Sequence, residues 1–285
     1  MHVNGTAQPG TDEYLHEREW ARAGRLLHRS RYAIALTGAG LSSDSGIPTF
    51  HGTDGLWTRQ GGPPMDSYQR FLRDPAAWWR RRRADDFDPA GQLARAIARA
   101  QPNPGHVALA GLQRAGYLRT IITQNIDNLH SVAGSDRLLE IHGNHTLVRC
   151  IVCEARSRSD QIRRDELPPR CDRCGGIIKP DTVLFGEPIP PSTLERCQDA
   201  ALRADCILVV GTSALVAPAA DLPVLVWRTG GVLIEINVAE TELTPFCDVV
   251  LREPAAQVLP KLFAAVDELE LDEPEARSTG VRHGT

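Results

Sequence analysis

The sequence predicts a doubly wound α/β fold: a parallel sheet covered on both faces by helices, with a smaller second lobe set into it. Three observations carry that expectation. Six short runs rich in Val and Ile recur along the 285 residues, each closing on glycine or polar side chains at its C-terminal end. Stretches with helical spacing separate several of these runs, and such alternation belongs to sheets whose strands are buried on both faces. Two segments break the alternation, and one of them holds two Cys-x2-Cys pairs.

Residues 1–14, rich in Gly, Thr, Pro and acids, are expected to form a mobile tail, because they hold too little apolar surface to offset their ordering entropy. Trp20, Ala23, Leu26 and Leu27 fall at helical spacing and predict a helix over 15–30. "YAIALTGAG" (32–40) reads as a buried strand running into a glycine turn. Residues 44–103 form the first insertion, punctuated by Gly and Pro and carrying the helix-like "PAAWWRRRRADDF". A helix over 104–116 leads to strands at 118–125 and 138–143, and the second insertion, 145–180, follows. After a helix over 192–204 come strands at 205–213, 231–237 and 247–253, then a helix over 255–269. The working domain is expected to span 15–267, with 268–285 a second mobile tail.

Composition narrows the function classes. With 42% hydrophobic and 24% charged residues and a formal net charge of −4, nothing suggests general affinity for nucleic acid or anionic membranes. No apolar run approaches the ~18 residues of a transmembrane helix, and the N-terminus has no hydrophobic signal core, so a cytoplasmic location away from membranes is expected. Seven cysteines, an odd number, suit metal thiolates plus free buried thiols better than disulfides.

In doubly wound sheets, ligands bind beyond the carboxyl ends of the strands. There fall "TGAG", "TQNIDNLH", "HGN", "GTSA" and "IN", five strand ends converging on one crevice. In the first, Gly38 and Gly40 let the backbone approach a pyrophosphate, although Ser43 stands where G-x-G-x-x-G has its third glycine. In the second, Gln124, Asn125 and Asp127 offer amides and a carboxylate, although Asn or Asp at a strand end is often only a turn former or helix cap. His142, at the end of its strand, suits a general base because imidazole titrates near neutral pH. A lone histidine is more often structural; its neighbours in the crevice give this one weight. Cys150 and Cys153, then Cys171 and Cys174, have the spacing of two zinc knuckles, and four thiolates leave no open position, so the zinc is expected to be structural.

"GAGLSSDSGIPTF", "TQNIDNLH", "EIHGN", the two cysteine pairs, "KPDTVLFGE", "GTSALVAPAA" and "IN" occur in the order and spacing of the sirtuin family, over roughly residues 17–267. The chain is thus identified as resembling an NAD-dependent protein lysine deacylase, with a Rossmann-like dinucleotide-binding lobe and a zinc-ribbon lobe. The resemblance implies that Ala39, Gly40 and Ser42 line the NAD, and that "GIPTF" is a mobile loop whose Ile47 and Phe50 close over the nicotinamide, followed by His51. It gives Asp127 to the carboxamide, Gln124 and Asn125 to the ribose and its water, and Gly211, Thr212, Ser213 and Asn237 to the rest of the dinucleotide. Asn125, Asp127 and His142 form the catalytic set. Val183, Phe185, Gly186 and Glu187 resemble the strand that pairs with the backbone of an acyl-lysine protein or peptide. The implied reaction begins with attack of the acyl oxygen on the anomeric carbon as nicotinamide leaves. His142 then takes a proton from the ribose hydroxyls, and water finally releases lysine and O-acyl-ADP-ribose.

Two departures stand out. The family usually has Arg after the loop Phe, where this chain has His51, a weaker and pH-dependent partner for phosphate or carboxamide. Thr49 resembles the branch that removes acidic acyl groups, but the Tyr-x-x-Arg pair of that branch is replaced by Arg82 and Asp85. The Arg80 to Arg83 run points around most of its helix and reads as a solvated face. Two rival functions remain in view. One is an NAD hydrolase or ADP-ribosyltransferase using the same crevice. The other is a zinc-ribbon module for nucleic acid, motivated by Arg156, Arg158, Arg163, Arg164, Arg170 and Arg173 but opposed by interleaved acids and missing aromatics.

Overall fold

The structure is a computed structural model and describes residues 9–49, 55, 58, 61–62, 64–83, 90–163 and 165–272. Its elements in chain order begin with α1 (Pro9–Arg29), β1 (Ala33–Thr37), α2 (Ala39–Ser42) with a 3-10 turn at Ser43–Ser45, α3 (Ser67–Arg73), α4 (Pro75–Arg83) and α5 (Ala90–Arg99). Next come α6 (Pro104–Arg114), β2 (Thr120–Thr123), α7 (Leu129–Val132), β3 (Leu138–Glu140), β4 (Leu147–Cys150), β5 (Arg156–Arg158) and β6 (Ile178–Pro180). The chain continues through α8 (Pro191–Arg203), β7 (Cys206–Val210), α9 (Asp221–Arg228), β8 (Val232–Ile236), a 3-10 turn at Thr244–Phe246, β9 (Val249–Leu251) and α10 (Ala255–Asp272).

The six runs of Val and Ile form one parallel sheet in the order β3-β2-β1-β7-β8-β9. From β1 the chain builds outward through β2 and β3, then returns to β7 on the other side. The order therefore reverses between β1 and β7, the switch point beyond whose carboxyl ends doubly wound sheets take their ligands. Side chains alternate along each strand. Ala33 and Ala35 of β1 face one core with Leu208 of β7, Leu27 of α1, Leu109 of α6 and Leu259 of α10. Ile34 and Leu36 face the other, with Val209, Cys197 of α8 and Val226 of α9. Both faces are thus buried, which is why these strands read as continuous apolar runs.

The smaller lobe is an antiparallel sheet, β5-β4-β6. Trp79 of α4 packs on its Val148 and Ile178 beside Cys150 and Cys171, and its indole Nε1 donates to the Ile178 carbonyl at 2.9 Å. The "WW" helix of the first insertion therefore closes the core of the second.

α3 and α5 are regular helices within 44–103, where only the WW segment is expected to be helical, and α1 and α9 also differ from expectation. α1 begins at Pro9, six residues earlier than the apolar spacing places it, because Pro fits the first helical position and acids follow close behind. α9 is missed by periodicity because it is short and contains Pro223, which sits in the first turn where its absent N–H costs nothing. Among the described residues no helix is long and apolar enough to cross a membrane.

Candidate active site

At the switch point, the turns after β1 and β7 are pressed together. Gly38 N–H donates to the Val210 carbonyl at 2.9 Å and Gly40 N–H to the Gly211 carbonyl at 2.8 Å. A Cβ on Gly38 would lie 2.7 Å from the Thr212 Cβ, and one on Gly40 2.9 Å from the Gly211 Cα. Glycine is needed at 38 and 40 by this contact alone. Ala39 opens α2 directly above it.

The polar side chains of the five strand ends lock to one another. Gln124 Nε2 donates to Thr212 Oγ1 at 2.9 Å, and Asn237 Nδ2 to the Thr212 carbonyl at 2.9 Å, joining the ends of β2, β7 and β8. Asn125 Nδ2 donates to the Gly38 carbonyl and to Ser42 Oγ, each at 3.0 Å, which commits both amide hydrogens and leaves Oδ1 as an acceptor. Ser42 Oγ in turn donates to Asp127 Oδ2 at 2.7 Å, while Asp127 Oδ1 accepts from Leu129 N–H at 3.0 Å. Asp127 is therefore a fixed, buried carboxylate at the base of the crevice. Ser213 lies in the same turn as Thr212. Ile47 lies lower, packed with Ile97 and Leu129. Phe50 and His51 lie outside the described residues.

His142 follows β3. Its Nδ1 sits 3.1 Å from the Gln124 carbonyl oxygen, which can only accept, so Nδ1 holds the proton and Nε2 the lone pair. Burial pushes its pKa below the usual 6.5, with the Gln124 hydrogen bond opposing. The ring is thus a neutral base at neutral pH, with its tautomer fixed.

The candidate substrate segment is attached to this histidine. Val183 N–H donates to the His142 carbonyl at 2.9 Å. The Phe185 carbonyl accepts from Tyr68 N–H at 3.0 Å, and Gly186, at φ +78, lies so near α3 that a Cβ would come within 2.6 Å of the Met65 carbonyl oxygen. Glu187 is turned inward: its carboxylate binds Arg149 at 2.8 Å, Lys179 at 3.0 Å and Leu184 N–H at 2.8 Å. Its side chain thus anchors the segment from below.

In the small lobe, the sulfurs of Cys150, Cys153, Cys171 and Cys174 all lie within 4.8 Å of one another, with Cys150 to Cys174 at 3.5 Å and Cys153 to Cys171 at 3.7 Å. Zinc–sulfur bonds of about 2.3 Å place tetrahedral sulfurs about 3.8 Å apart, so the cluster fits zinc.

A cleft of about 500 Å³ lined by Tyr32, Thr120, Arg137, Leu138, Glu195 and Asp199 opens at the amino ends of the strands, away from these groups. Gln124, Asn125, Asp127, His142, Thr212 and Asn237 lie at the carboxyl ends.

The Sir2 family model matches residues 38–218, from the first glycine turn to the loop after β7. The chain belongs to the Sir2 family. It is 43% identical over 254 residues to an NAD-dependent protein deacylase of Thermococcus kodakarensis, covering 87% of this chain and 95% of that one. It is 42% identical over 251 residues to another from Pyrococcus abyssi, covering 86% and 97%. Among solved structures, a Sir2 homologue bound to NAD is 40% identical with a TM-score of 0.70, over 94% of this chain and 97% of the other. A mutant Sir2 homologue with 2′-O-acetyl ADP-ribose is 40% identical with a TM-score of 0.71, over 87% and 96%. A Sir2 complex with p53 peptide and NAD is 32% identical with a TM-score of 0.68, over 84% and 95%.

Sequence reading missed the polar layer beneath this Sir2 crevice. Asn103 caps α6 and donates to the Leu41 carbonyl at 2.7 Å. His106 Nδ1 accepts from Asn103 N–H at 3.4 Å, so its Nε2 proton points to Ser42 Oγ, also at 3.4 Å. His130 stacks edge-on to His106 at 5.1 Å and meets Thr37 Oγ1 at 2.9 Å. Burial drives the His106 pKa down to about 4 and that of His130 to about 3, so both stay neutral. The Asn103-Pro104 pair is a legible helix start. The partners of His106 are not, because they lie on other elements.

Proposed function

We propose that this Sir2-family chain is an NAD-dependent protein lysine deacylase that releases nicotinamide, free lysine and O-acyl-ADP-ribose. The observation that carries the reading is His142. One neutral imidazole with its lone pair on Nε2 is fixed between the NAD-side groups, through Gln124, and the segment that would pair with a peptide, through Val183. NAD supplies an anomeric carbon that loses nicotinamide when the acyl oxygen attacks it. Asp127, held by Ser42, would take the carboxamide, and Gln124 with Asn125, held by Gly38, the ribose and its water. Thr212 and Asn237 line the adenosine side, and His142 Nε2 receives the ribose proton.

We assign this activity to residues 15–267, the stretch that holds both sheets, and to the cytoplasm, where thiols such as the seven here persist. The partner is an acyl-lysine peptide laid beside residues 183–186. Phe50 is assigned over the nicotinamide and His51 to a contact with phosphate or carboxamide, and His51→Arg is expected to raise turnover, checked by kcat/KM. The nucleic-acid alternative is disfavoured by charge: Arg158 pairs with Asp160 at 2.7 Å, Arg163 with Asp165 at 3.2 Å and Arg156 with Glu140 at 2.6 Å.

The test is mass spectrometry of one peptide carrying acetyl, succinyl or longer acyl groups on lysine, incubated with NAD and the protein, with His142→Ala as control. Loss of acyl mass that needs both NAD and His142 supports the reading and ranks the acyl groups. NAD consumption with every peptide still acylated would replace it with NAD hydrolysis.

A further inference from the structure

Lysine is nearly absent from this chain. The 285 residues contain two lysines, Lys179 and Lys261, against thirty arginines. The two cations differ chemically in one respect that bears on a deacylase. A lysine amine can lose its proton and attack acyl phosphates or acyl thioesters, and acylation removes its charge. Guanidinium stays protonated and delocalised and does not react in this way. The positive charge of this molecule is therefore carried almost wholly by a group that acyl donors do not touch.

The structure separates the two remaining amines. Lys179 on β6 is fully buried, and its Nζ donates to the carbonyls of Pro180 at 2.7 Å and Thr182 at 2.8 Å and pairs with Glu187 at 3.0 Å. An ammonium has three hydrogens, and all three are met by protein oxygen, with no room for an approaching acyl group. Lys261 on α10 has a side chain 48% exposed. Its Nζ lies 3.9 Å from the centre of the Trp20 ring on α1 and 3.8 Å from Glu253. Neither partner belongs to the polar groups of the crevice.

We infer that Lys261 is the single side-chain amine of this chain open to acylation, and that the enzyme is thereby protected from the modification it removes. In the reaction at Lys261, the unprotonated Nζ attacks the carbonyl carbon of an acyl phosphate. The new C–N bond forms as the C–O bond to phosphate breaks, the amine proton passes to water and inorganic phosphate leaves, with no change of oxidation state. The assignment of the amine stands on count and burial, whereas the protection rests on the deacylase reading.

The experiment treats the full chain with acetyl phosphate and maps acetyl groups by peptide mass spectrometry, scoring the α-amine separately, while deacylation of an acetylated peptide is followed in the same samples. The expected result is acetylation at Lys261 alone, none at Lys179 unless the chain is first denatured, and unchanged kcat/KM. Lys261→Arg should carry no acetylated side-chain amine. Arg31→Lys, at a side chain 93% exposed, should add one site. Acetyl-Lys179 in the folded protein would overturn the assignment, and activity lost in step with labelling of Lys261 would overturn the protection. A chain that labels as expected but deacylates no peptide would remove the protection together with the proposed function, and leave the assignment of the amine standing.

Discussion

His142 shows how neighbours fix the tautomer and the charge of one residue. Its Nδ1 proton is given to a backbone carbonyl, and burial disfavours the charged ring. The basic form is therefore present at lower pH than for a free histidine. The acidic limb of kcat/KM, which reports the free enzyme, should lie below the ordinary value of about 6.5, and a limb at or above that value would refute the assignment of His142 as base. His142→Ala should lower kcat roughly 10²- to 10⁴-fold with the fold intact, read by single-turnover assay and circular dichroism. Gly143 next to it is equally constrained: it sits at φ +80, and a Cβ there would lie 2.2 Å from the Asp181 carbonyl oxygen. Gly143→Ala should cost roughly 1–3 kcal/mol in urea denaturation and shift His142, so that kcat falls as well.

Between elements, ion pairs, buried at Glu187 and partly exposed at Arg156, join the ribbon strands to the crevice. Arg149 of β4 and Lys179 of β6 both hold Glu187, and Arg156 of β5 binds Glu140 of β3 as well as Asp181. The segment carrying Val183 and the strand end carrying His142 are thus fixed to the same small sheet. Lys179→Met leaves the Glu187 carboxylate short of one buried cation and should destabilise the fold by roughly 3–5 kcal/mol, measured by chemical denaturation. The cysteine cluster supports this sheet in turn. One zinc per chain is expected by metal analysis. Stripping it with a strong chelator should change the fluorescence of Trp79, which packs beside Cys150 and Cys171. An unchanged spectrum on loss of zinc would separate the metal from the packing.

For the molecule as a whole, the two buried histidines below the crevice make stability depend on pH. His106 and His130 are held neutral in the fold, at about 4 and about 3, whereas in the unfolded chain they titrate near 6.5. Between these values the unfolded chain binds more protons, so stability is full above about 6.5 and declines as pH falls through that window. Urea midpoints should drop from pH 7.5 to pH 5, and His106→Gln should show a shallower drop. Much of this molecule was legible in its sequence. Buried strands, helix faces and Cys-x2-Cys knuckles are set by periods and spacings of a few residues, so the six strands, the polar segments at their carboxyl ends and the four-cysteine cluster followed from local pattern. What only the tertiary structure decided is which polar groups meet. Ser42 and Asp127 stand 85 residues apart, Asn125 and Gly38 87, and Arg149 and Glu187 38. Such pairs leave no periodic trace, because their partners are chosen by the order of strands in the sheet and by the cost of burying an unpaired polar group. The inward turn of Glu187, the tautomer of His142 and the neutral histidines beneath it all belong to that second kind.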